Sequence, residues 1–271
     1  MEKCNVQGYD IAYTRSGKGE TVLLVHGITT WSFIFKEIAE KLSREYDVIS
    51  LDLLGCGYSD KPATEDLSLK NHAKLIKEFA DRLGIEKFHY VGHDLGGGIG
   101  QILTVNNPEN LLTLTLINSV GYDFWPVQPI IAMRTPIIRQ LAMASLDAGV
   151  LRMIISRGLY HKDKLTAALL DQFRLPLLTK EGRKAFLQFA HSLNNKHLTE
   201  ISDNLLSLRL PVLIIRGDSD LYLSAAISEK LNRDISGSRL ERISTAGHFL
   251  MIDEPEWLID KLLSFFYEVK K

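Results

Sequence analysis

The chain has 271 residues, of which 45% are hydrophobic and 24% are charged, and its formal net charge at pH 7 is −1. This composition is typical of a folded globular protein, and the length is sufficient for one large domain or for one domain with an insertion. A net charge so close to zero gives no electrostatic reason to expect nucleic acid or an anionic membrane as a partner.

The two cysteines, Cys4 and Cys56, do not form a CxxC pair. They indicate neither a disulfide framework nor a zinc site, and we expect both side chains to be buried as small apolar groups. Residues 1–10 lack the apolar core of a signal peptide, and no apolar run reaches the length of a membrane span. We therefore expect a cytoplasmic protein. The sequence specifies no oligomeric state.

Strands and helices alternate along the first part of the chain. The predicted elements are, in order, a hairpin over 4–15, a strand over 21–27, a helix over 32–42, a strand over 46–52, a helix over 68–84, a strand over 87–92, a helix over 96–107 and a strand over 111–118. Continuous apolar runs such as "TVLLVHG" are typical of strands buried on both faces. The alternation predicts an α/β fold with a mostly parallel central sheet flanked by helices.

The alternation stops over residues 122–206, which show helical apolar spacing and no convincing strand. Helix-breaking prolines occur within this segment, at Pro126, Pro129, Pro136 and Pro176. Strand and helix signals resume afterwards, over 211–218, 238–244 and 254–269. We therefore predict an α/β core formed by residues 1–121 and 207–271, with a helical cap inserted at 122–206.

The segment Gly92–Gly96 places an acidic residue at a glycine-rich turn. It has the form G-x-nucleophile-x-G, between a predicted strand and a predicted helix. A residue at such a turn is held in a strained conformation at the carboxyl edge of the sheet, and the glycines prevent collisions with neighbouring elements. Because a helix N-terminus favours an anion, we expect a lowered pKa for Asp94 and a role as carboxylate nucleophile. Capping of the following helix is the alternative explanation.

Five motifs and their order carry a family resemblance. They are "HG" at 26–27, "DLLGCGYSDKP" at 52–62, "GHDLGG" at 92–97, "RGDSD" at 216–220 and "AGHF" at 246–249. Over essentially its full length the chain resembles an α/β-hydrolase. Because Asp94 stands where most members have serine or cysteine, the chain resembles the haloalkane dehalogenase, epoxide hydrolase and fluoroacetate dehalogenase branch. In that branch the carboxylate displaces a leaving group at an sp³ carbon, and histidine-activated water hydrolyses the resulting alkyl-enzyme ester.

The resemblance implies the remaining catalytic residues. His248 follows the last predicted strand, at the family's position for the base, and a neutral imidazole accepts a proton from water near neutral pH. Asp220, in "RGDSD", is the acid that would orient His248. Asp218 is interpreted as a turn residue. Asp123 is the weaker rival, since the other family position for the acid, "LINS" at 116–119, has no carboxylate.

The oxyanion hole is also assigned by resemblance. Its donors would be the backbone amides of Ile28, after His-Gly, and of Leu95, after the nucleophile. They would stabilise the tetrahedral intermediate that forms when water attacks the ester. His26 is a candidate substrate contact or, equally, a brace for its loop.

The residues that would stabilise a leaving group are weakly marked. Related dehalogenases usually place tryptophan directly after the nucleophile, where this chain has Leu95. The candidate N–H donors to a halide are Trp31 and Trp125, and the candidate acids for epoxide opening are Tyr122 and Tyr160. Each of these aromatic residues could instead be an ordinary packing or surface residue. No arginine follows the nucleophile, which disfavours an anionic substrate.

The sequence thus predicts a hydrolase with an aspartate nucleophile that acts, with water, on small and mostly apolar molecules. The stretch "HGITTWSF" favours carbon–halide cleavage, and epoxide opening is the alternative. A non-catalytic ligand receptor and an esterase on the same fold are further alternatives. The apolar stretches "PVQPIIAM" and "VLRMII" in the insertion suit a lid over a hydrophobic pocket. The chemistry requires no metal ion and no organic cofactor.

Overall fold

One mixed sheet organises the residues that this computed structural model describes, 1–125 and 149–270. The eight strands of this described part are β1 (Glu2–Val6), β2 (Tyr9–Ser16), β3 (Thr21–Val25), β4 (Asp47–Leu51), β5 (Phe88–His93), β6 (Leu111–Ile117), β7 (Val212–Gly217) and β8 (Arg239–Ile243). They lie in the order β1-β2-β4-β3-β5-β6-β7-β8.

The sheet is mostly parallel. β1 pairs antiparallel with β2, and β2 pairs antiparallel with β4, whereas every other neighbouring pair is parallel. β3, β4, β5 and β7 are buried along their whole length, which explains why their sequences are continuous apolar runs without alternation. The predicted parallel sheet with an opening hairpin is confirmed.

Helices connect these strands and flank the sheet. In the described part of the chain they are α1 (Lys36–Leu42), α2 (Leu69–Arg82), α3 (Leu95–Asn106), α4 (Leu151–Gly158), α5 (Ala167–Arg174), α6 (Lys180–Ser192), α7 (Lys196–Thr199), α8 (Ser202–Leu205), α9 (Ala225–Asp234), α10 (Leu250–Asp253) and α11 (Pro255–Val269). The helix predicted over 32–42 begins as a 3₁₀ turn, Ser32–Phe35, and becomes α-helical at Lys36.

The described residues between β6 and β7 form helices joined by turns. They contribute α4 to α8, and none of these described residues is in a strand. Pro176 lies in a short 3₁₀ segment, Leu175–Leu177, that separates α5 from α6, as expected of a helix breaker. Pro126, Pro129 and Pro136 lie outside the described residues, as does the "PVQPIIAM" stretch.

The strand order reverses beside β3, and this reversal positions the site. From β3 the chain passes to β4 on one side, and from β4 it returns to β5 on the other side of β3. Crevices form outside the carboxyl ends of parallel strands at such a reversal. The loop after β3, which contains Gly27, and the turn after β5, which contains Asp94, therefore meet at one edge of the sheet.

The described residues show neither a membrane span nor a metal site. Among them, no helix is both long enough and apolar enough to cross a membrane, and no cluster of His, Cys, Asp and Glu side chains is arranged to hold a metal ion. Both cysteines are free thiols. Cys56 is buried as expected, but Cys4 is only partly buried, because β1 is an edge strand.

Candidate active site

The turn after β5 holds Asp94 in a strained conformation. Its φ is +52° and its ψ is −115°, outside the regions that residues other than glycine favour. A Cβ at Gly92 would overlap the carbonyl oxygen of Gly96, and a Cβ at Gly96 would overlap that of Val25. The predicted steric role of the two glycines is confirmed: they let β5, α3 and β3 approach closely around the aspartate.

The Asp94 side chain points across the crevice toward the loop after β3. Its Oδ2 accepts a hydrogen bond from the backbone N–H of Ile28 at 3.0 Å, and the nearby amide of Leu95 also lowers the pKa of the carboxylate. Asp94 makes no side-chain capping bond further into α3. The simple capping explanation therefore does not describe this residue, and the Ile28 amide, one of the two expected oxyanion donors, binds its carboxylate.

Burial decides the protonation tendency of Asp94. The residue is 5% exposed. Burial raises the pKa of Asp94, and although the charge of His248 and the amides of Ile28 and Leu95 lower it, the net pKa lies above its ordinary value of 3.8. The sequence-based expectation of a lowered pKa is wrong in direction, because it considered the helix N-terminus without the loss of solvent.

His248 and Asp220 form a buried hydrogen-bonded pair. His248 lies in the loop between β8 and α10, and its Nδ1 is 3.0 Å from Oδ2 of Asp220, which follows β7. Oδ1 of Asp220 accepts the backbone N–H groups of Tyr222 at 2.7 Å and Leu223 at 3.1 Å. Because a carboxylate only accepts, Nδ1 of His248 carries the hydrogen and Nε2 is the basic nitrogen.

The charges around this pair stabilise one another. Burial raises the pKa of Asp220, but the charge and hydrogen bond of His248, followed by the charge of Arg216, outweigh it, and the net pKa is lowered. Burial alone would lower the pKa of His248, whereas the carboxylates of Asp220 and Asp94 raise it, and the net pKa lies above the ordinary 6.5. Asp94 and His248 therefore lie close enough to influence each other's ionisation.

The comparisons with known proteins identify the family. A family model described as the alpha/beta hydrolase fold matches residues 20–255. The chain belongs to the α/β-hydrolase fold family. It is thus a hydrolase, and the fold and family expected from its motifs are confirmed.

Relatives of this α/β-hydrolase are named for different reactions. It is 26% identical to haloalkane dehalogenase 2 of Mycobacterium tuberculosis over 91% of this chain and 87% of that protein. It is 24% identical to a cis-3-alkyl-4-alkyloxetan-2-one decarboxylase of Shewanella oneidensis over 97% of this chain and 87% of that one. The crystal structure of a putative ancestral haloalkane dehalogenase superposes with a TM-score of 0.87 at 23% identity, covering 100% of this chain and 99% of the other.

The two rival acids of this hydrolase lie elsewhere. Asp123 is exposed. Asp218 forms a surface ion pair with Arg242, the Arg242 Nε lying 2.8 Å from Oδ1 of Asp218. The carboxylate that contacts His248 is that of Asp220.

His26 braces the loop that carries the Ile28 amide. Its Nδ1 bonds to the carbonyl oxygen of Gly27 at 2.8 Å, and its Nε2 accepts the backbone N–H of Leu53 at 2.9 Å. Burial lowers the pKa of His26 to about 4, so the ring stays neutral, with its hydrogen on Nδ1. Both ring nitrogens are occupied, which leaves none for a substrate.

The four aromatic candidates for leaving-group stabilisation differ in what their polar atoms contact. Nε1 of Trp31 donates to the backbone carbonyl of Gln172 at 2.8 Å, and the hydroxyl of Tyr122 donates to Asp234 at 2.8 Å. Tyr160 is 45% exposed. Trp125 is buried, and its Nε1 has no hydrogen-bond partner in the described part of the chain. Of the four, Trp125 offers a buried and unused donor.

Three residues that the sequence analysis did not single out surround His248. The rings of His93 and Tyr222 lie 4.7 and 5.4 Å from its imidazole, centroid to centroid. The side chain of Asn118 bonds to the main chain of the same loop. The available signals were modest: His93 directly precedes the nucleophile, and Asn118 is a polar residue that ends the apolar run of β6.

Proposed function

We propose that this α/β-hydrolase uses Asp94 as a nucleophile that forms and then loses an alkyl-enzyme ester. The observation that carries the proposal is the 3.0 Å bond from the Ile28 amide to Oδ2 of Asp94. The charge of His248, which is hydrogen-bonded to Asp220, also lowers the pKa of Asp94. A carboxylate in this position takes the place of the serine or cysteine of other family members.

The first step is displacement at carbon. The amide of Ile28 holds Oδ2 of Asp94 and leaves Oδ1 to attack an sp³ carbon. A new C–O bond to Asp94 forms as the bond from that carbon to its leaving group breaks, and the leaving group takes the electron pair. Holding the carboxylate in one orientation supplies the proximity that such a displacement needs.

The second step is ester hydrolysis. Water attacks the carbonyl carbon of the Asp94 ester, and Nε2 of His248 accepts the proton of that water. The amides of Ile28 and Leu95 bind the oxyanion of the tetrahedral intermediate, whose collapse releases an alcohol and restores the carboxylate. Asp220 keeps Nε2 as the basic nitrogen and stabilises the imidazolium that forms.

The insertion over 122–206 is proposed to act as a lid on the core of residues 1–121 and 207–271. Its helix α5 reaches the site through Phe173, which is 1% exposed. The ring of Phe173 packs against Phe33 at 5.1 Å and against Phe249, the neighbour of His248, at 5.1 Å. Apolar contacts of this kind suit small, mostly apolar substrates and limit the access of water.

Carbon–halide cleavage is the preferred reaction. A leaving halide needs N–H donors in an apolar pocket, and Trp125 has a buried N–H without a partner among the described residues. Epoxide opening needs an acid, but the Tyr122 hydroxyl is bound to Asp234 and Tyr160 is half exposed. The name of haloalkane dehalogenase 2 agrees with this preference. Because Leu95 stands in place of the usual tryptophan, we assign the role of halide donor to Trp125.

The test is to trap the ester. A His248→Phe variant keeps Asp94 and its amides but has no base, so the alkyl-enzyme should accumulate. We expect peptide mass spectrometry to find the substrate's alkyl group on the peptide that contains Asp94 after incubation with a haloalkane. The panel also contains terminal epoxides and a dialkyl β-lactone. The β-lactone is included because the name of one relative, the decarboxylase of Shewanella oneidensis, refers to an oxetanone.

The matched control is the double variant Asp94→Asn with His248→Phe, which preserves shape and tolerates a positive φ. It should acquire no adduct. If an epoxide forms an adduct and no haloalkane does, epoxide opening replaces carbon–halide cleavage as the preferred reaction. A folded His248→Phe variant that acquires no adduct from any arm would overturn the nucleophile and favour a non-catalytic receptor.

A further inference from the structure

We infer that Asn118 is a positioning residue for His248, and that its side-chain amide ties the loop of the base to the end of β7, the strand that precedes Asp220. The inference rests on the proposed function, because it assigns a role in the second step of that reaction. It concerns a residue that touches neither the substrate nor the reacting atoms.

Asn118 makes three side-chain hydrogen bonds that join two segments of the chain. Its Nδ2 donates to the carbonyl oxygens of Gly247 at 2.9 Å and His248 at 3.0 Å. Its Oδ1 accepts the backbone N–H of Gly217, at the end of β7, at 3.0 Å. Asp220 follows Gly217 by three residues. The side chain of Asn118 therefore holds both the main chain at His248 and the main chain that leads to Asp220.

The site requires an asparagine for two reasons. A side chain here must donate to two carbonyls and accept from one amide, and a side-chain amide has both kinds of atom. The backbone of Asn118 has a φ of +38°, a conformation that asparagine adopts more readily than most residues. The residue is 2% exposed, so water is poorly placed to replace any of these bonds.

A second donor reaches the same loop from the side of the nucleophile. Nε2 of His93, which directly precedes Asp94, lies 2.9 Å from the carbonyl oxygen of His248. A carbonyl only accepts, so His93 carries its hydrogen on Nε2, and burial keeps the ring neutral by lowering its pKa. The His248 carbonyl therefore accepts from both Asn118 and His93, which ties the loop to both neighbouring strand ends.

The physical consequence concerns the direction of the imidazole. Among the described residues, the side chain of His248 has one hydrogen bond, at Nδ1, so the direction of the ring also depends on where its main chain is held. Fixing the carbonyl groups of residues 247 and 248 fixes where Nε2 points. A small displacement of a base can cost about 10 to 100-fold in rate.

The experiment compares two variants that each remove a buried amide. Asn118→Gly removes the three bonds without adding charge and without strain at a positive φ. Gln101→Ala is the matched control, since the Gln101 amide bonds to Gly97, Ser119 and Val120 and not to the loop of His248. Single-turnover kinetics measure ester formation and ester hydrolysis separately, and NMR measures the pKa of the His248 imidazole without any substrate.

We expect Asn118→Gly to form the ester within about 3-fold of the parent rate and to hydrolyse it about 10 to 100-fold more slowly. The pKa of His248 should move toward 6.5, because a loosened loop weakens its contact with Asp220. Gln101→Ala should leave both the hydrolysis rate and this pKa unchanged. If Asn118→Gly does not fold, Asn118→Ala, which also removes the three bonds and adds no charge, takes its place.

Two results would overturn the inference. One is equal slowing of ester formation and hydrolysis in Asn118→Gly, which a general structural role would produce. The other is a His248 pKa and a hydrolysis rate that match those of Gln101→Ala. If the parent enzyme forms no ester at all, the proposed function fails, while the NMR comparison still decides whether Asn118 positions the imidazole.

Discussion

Oδ2 of Asp220 lies 3.0 Å from Nδ1 of His248, although the two residues are 28 positions apart and follow different strands. The carboxylate is held on its other oxygen by the amides of Tyr222 and Leu223, so its orientation is set before the imidazole binds to it. The pair thus presents a defined basic nitrogen, and the proposed reaction depends on that nitrogen and on the carboxylate of Asp94.

Gly27→Ala should abolish most activity without unfolding the protein. A Cβ at Gly27 would overlap Oδ2 of Asp94, so the carboxylate must leave the Ile28 amide. We expect ester formation to slow by about 10²-fold, because the attacking carboxylate is displaced from its orientation. Gly84→Ala is the control for a loss of stability. Its φ of +68° strains the backbone of an alanine, but the added Cβ would contact no other atom. Equal rates in the two variants would contradict the role of this contact.

The pH dependence should differ between the free enzyme and the ester. In the free enzyme the pKa of His248 lies above 6.5, partly because Asp94 is a nearby anion. Ester formation neutralises Asp94 and so lowers the pKa of His248. Because the base must be neutral, ester hydrolysis should fall as the pH falls through this lower value.

The check is to compare two measured pKa values of His248. One comes from NMR titration of the free enzyme, and the other from the pH profile of ester hydrolysis. We expect the kinetic value to be the lower one. A kinetic value equal to or above the NMR value would mean that Asp94 remains charged in the intermediate, which an ester at Asp94 does not allow.

Trp125→Phe should weaken halide release while keeping an aromatic ring in place. A lost hydrogen bond to a charged group costs about 1.5 to 3 kcal/mol, or roughly 10 to 100-fold in rate. Trp31→Phe is the matched substitution, since its N–H binds Gln172 and not a leaving group. It should lower the free energy of unfolding with little change in halide release. Equal loss of halide release in both variants would remove Trp125 from its proposed role.

Arg216→Met removes a buried cation and should change both the free energy of unfolding and the pKa of His248. Nη1 of Arg216 lies 3.4 Å from Oδ2 of Asp220, and its side chain is 4% exposed. Loss of one partner of a buried pair costs about 3 kcal/mol or more of unfolding free energy. Because the charge of Arg216 lowers the pKa of His248, that pKa should rise in the variant. Arg216→Lys keeps the charge, and an equal rise in both variants would contradict this explanation.

Much of the fold could be predicted because its signals are local. Buried parallel strands are continuous apolar runs, and the turns that follow them carry glycines required by close packing, as at Gly92 and Gly96. The candidate triad was predictable for the same reason, since Asp94, His248 and Asp220 each stand just after a strand, in motifs whose order marks the family.

The parts that failed depend on distant contacts. The partner of Trp31 is 141 positions away and that of Tyr122 is 112 positions away, so no local pattern shows that their polar atoms are occupied. The direction of the Asp94 pKa shift depends on how completely the folded chain excludes water from the turn. The hydrogen bonds of Asn118 join the end of β6 to the end of β7 and to the loop of His248, and only the tertiary structure brings these segments together.

The most direct test of the central claim is a single turnover in water labelled with ¹⁸O, with enzyme in excess over a haloalkane. If Asp94 forms an ester and water attacks its carbonyl carbon, the first alcohol carries an unlabelled oxygen from Asp94, and the Asp94 peptide gains ¹⁸O. If water attacks the substrate directly, the alcohol carries ¹⁸O and the peptide stays unlabelled, and that result would contradict a covalent role for Asp94.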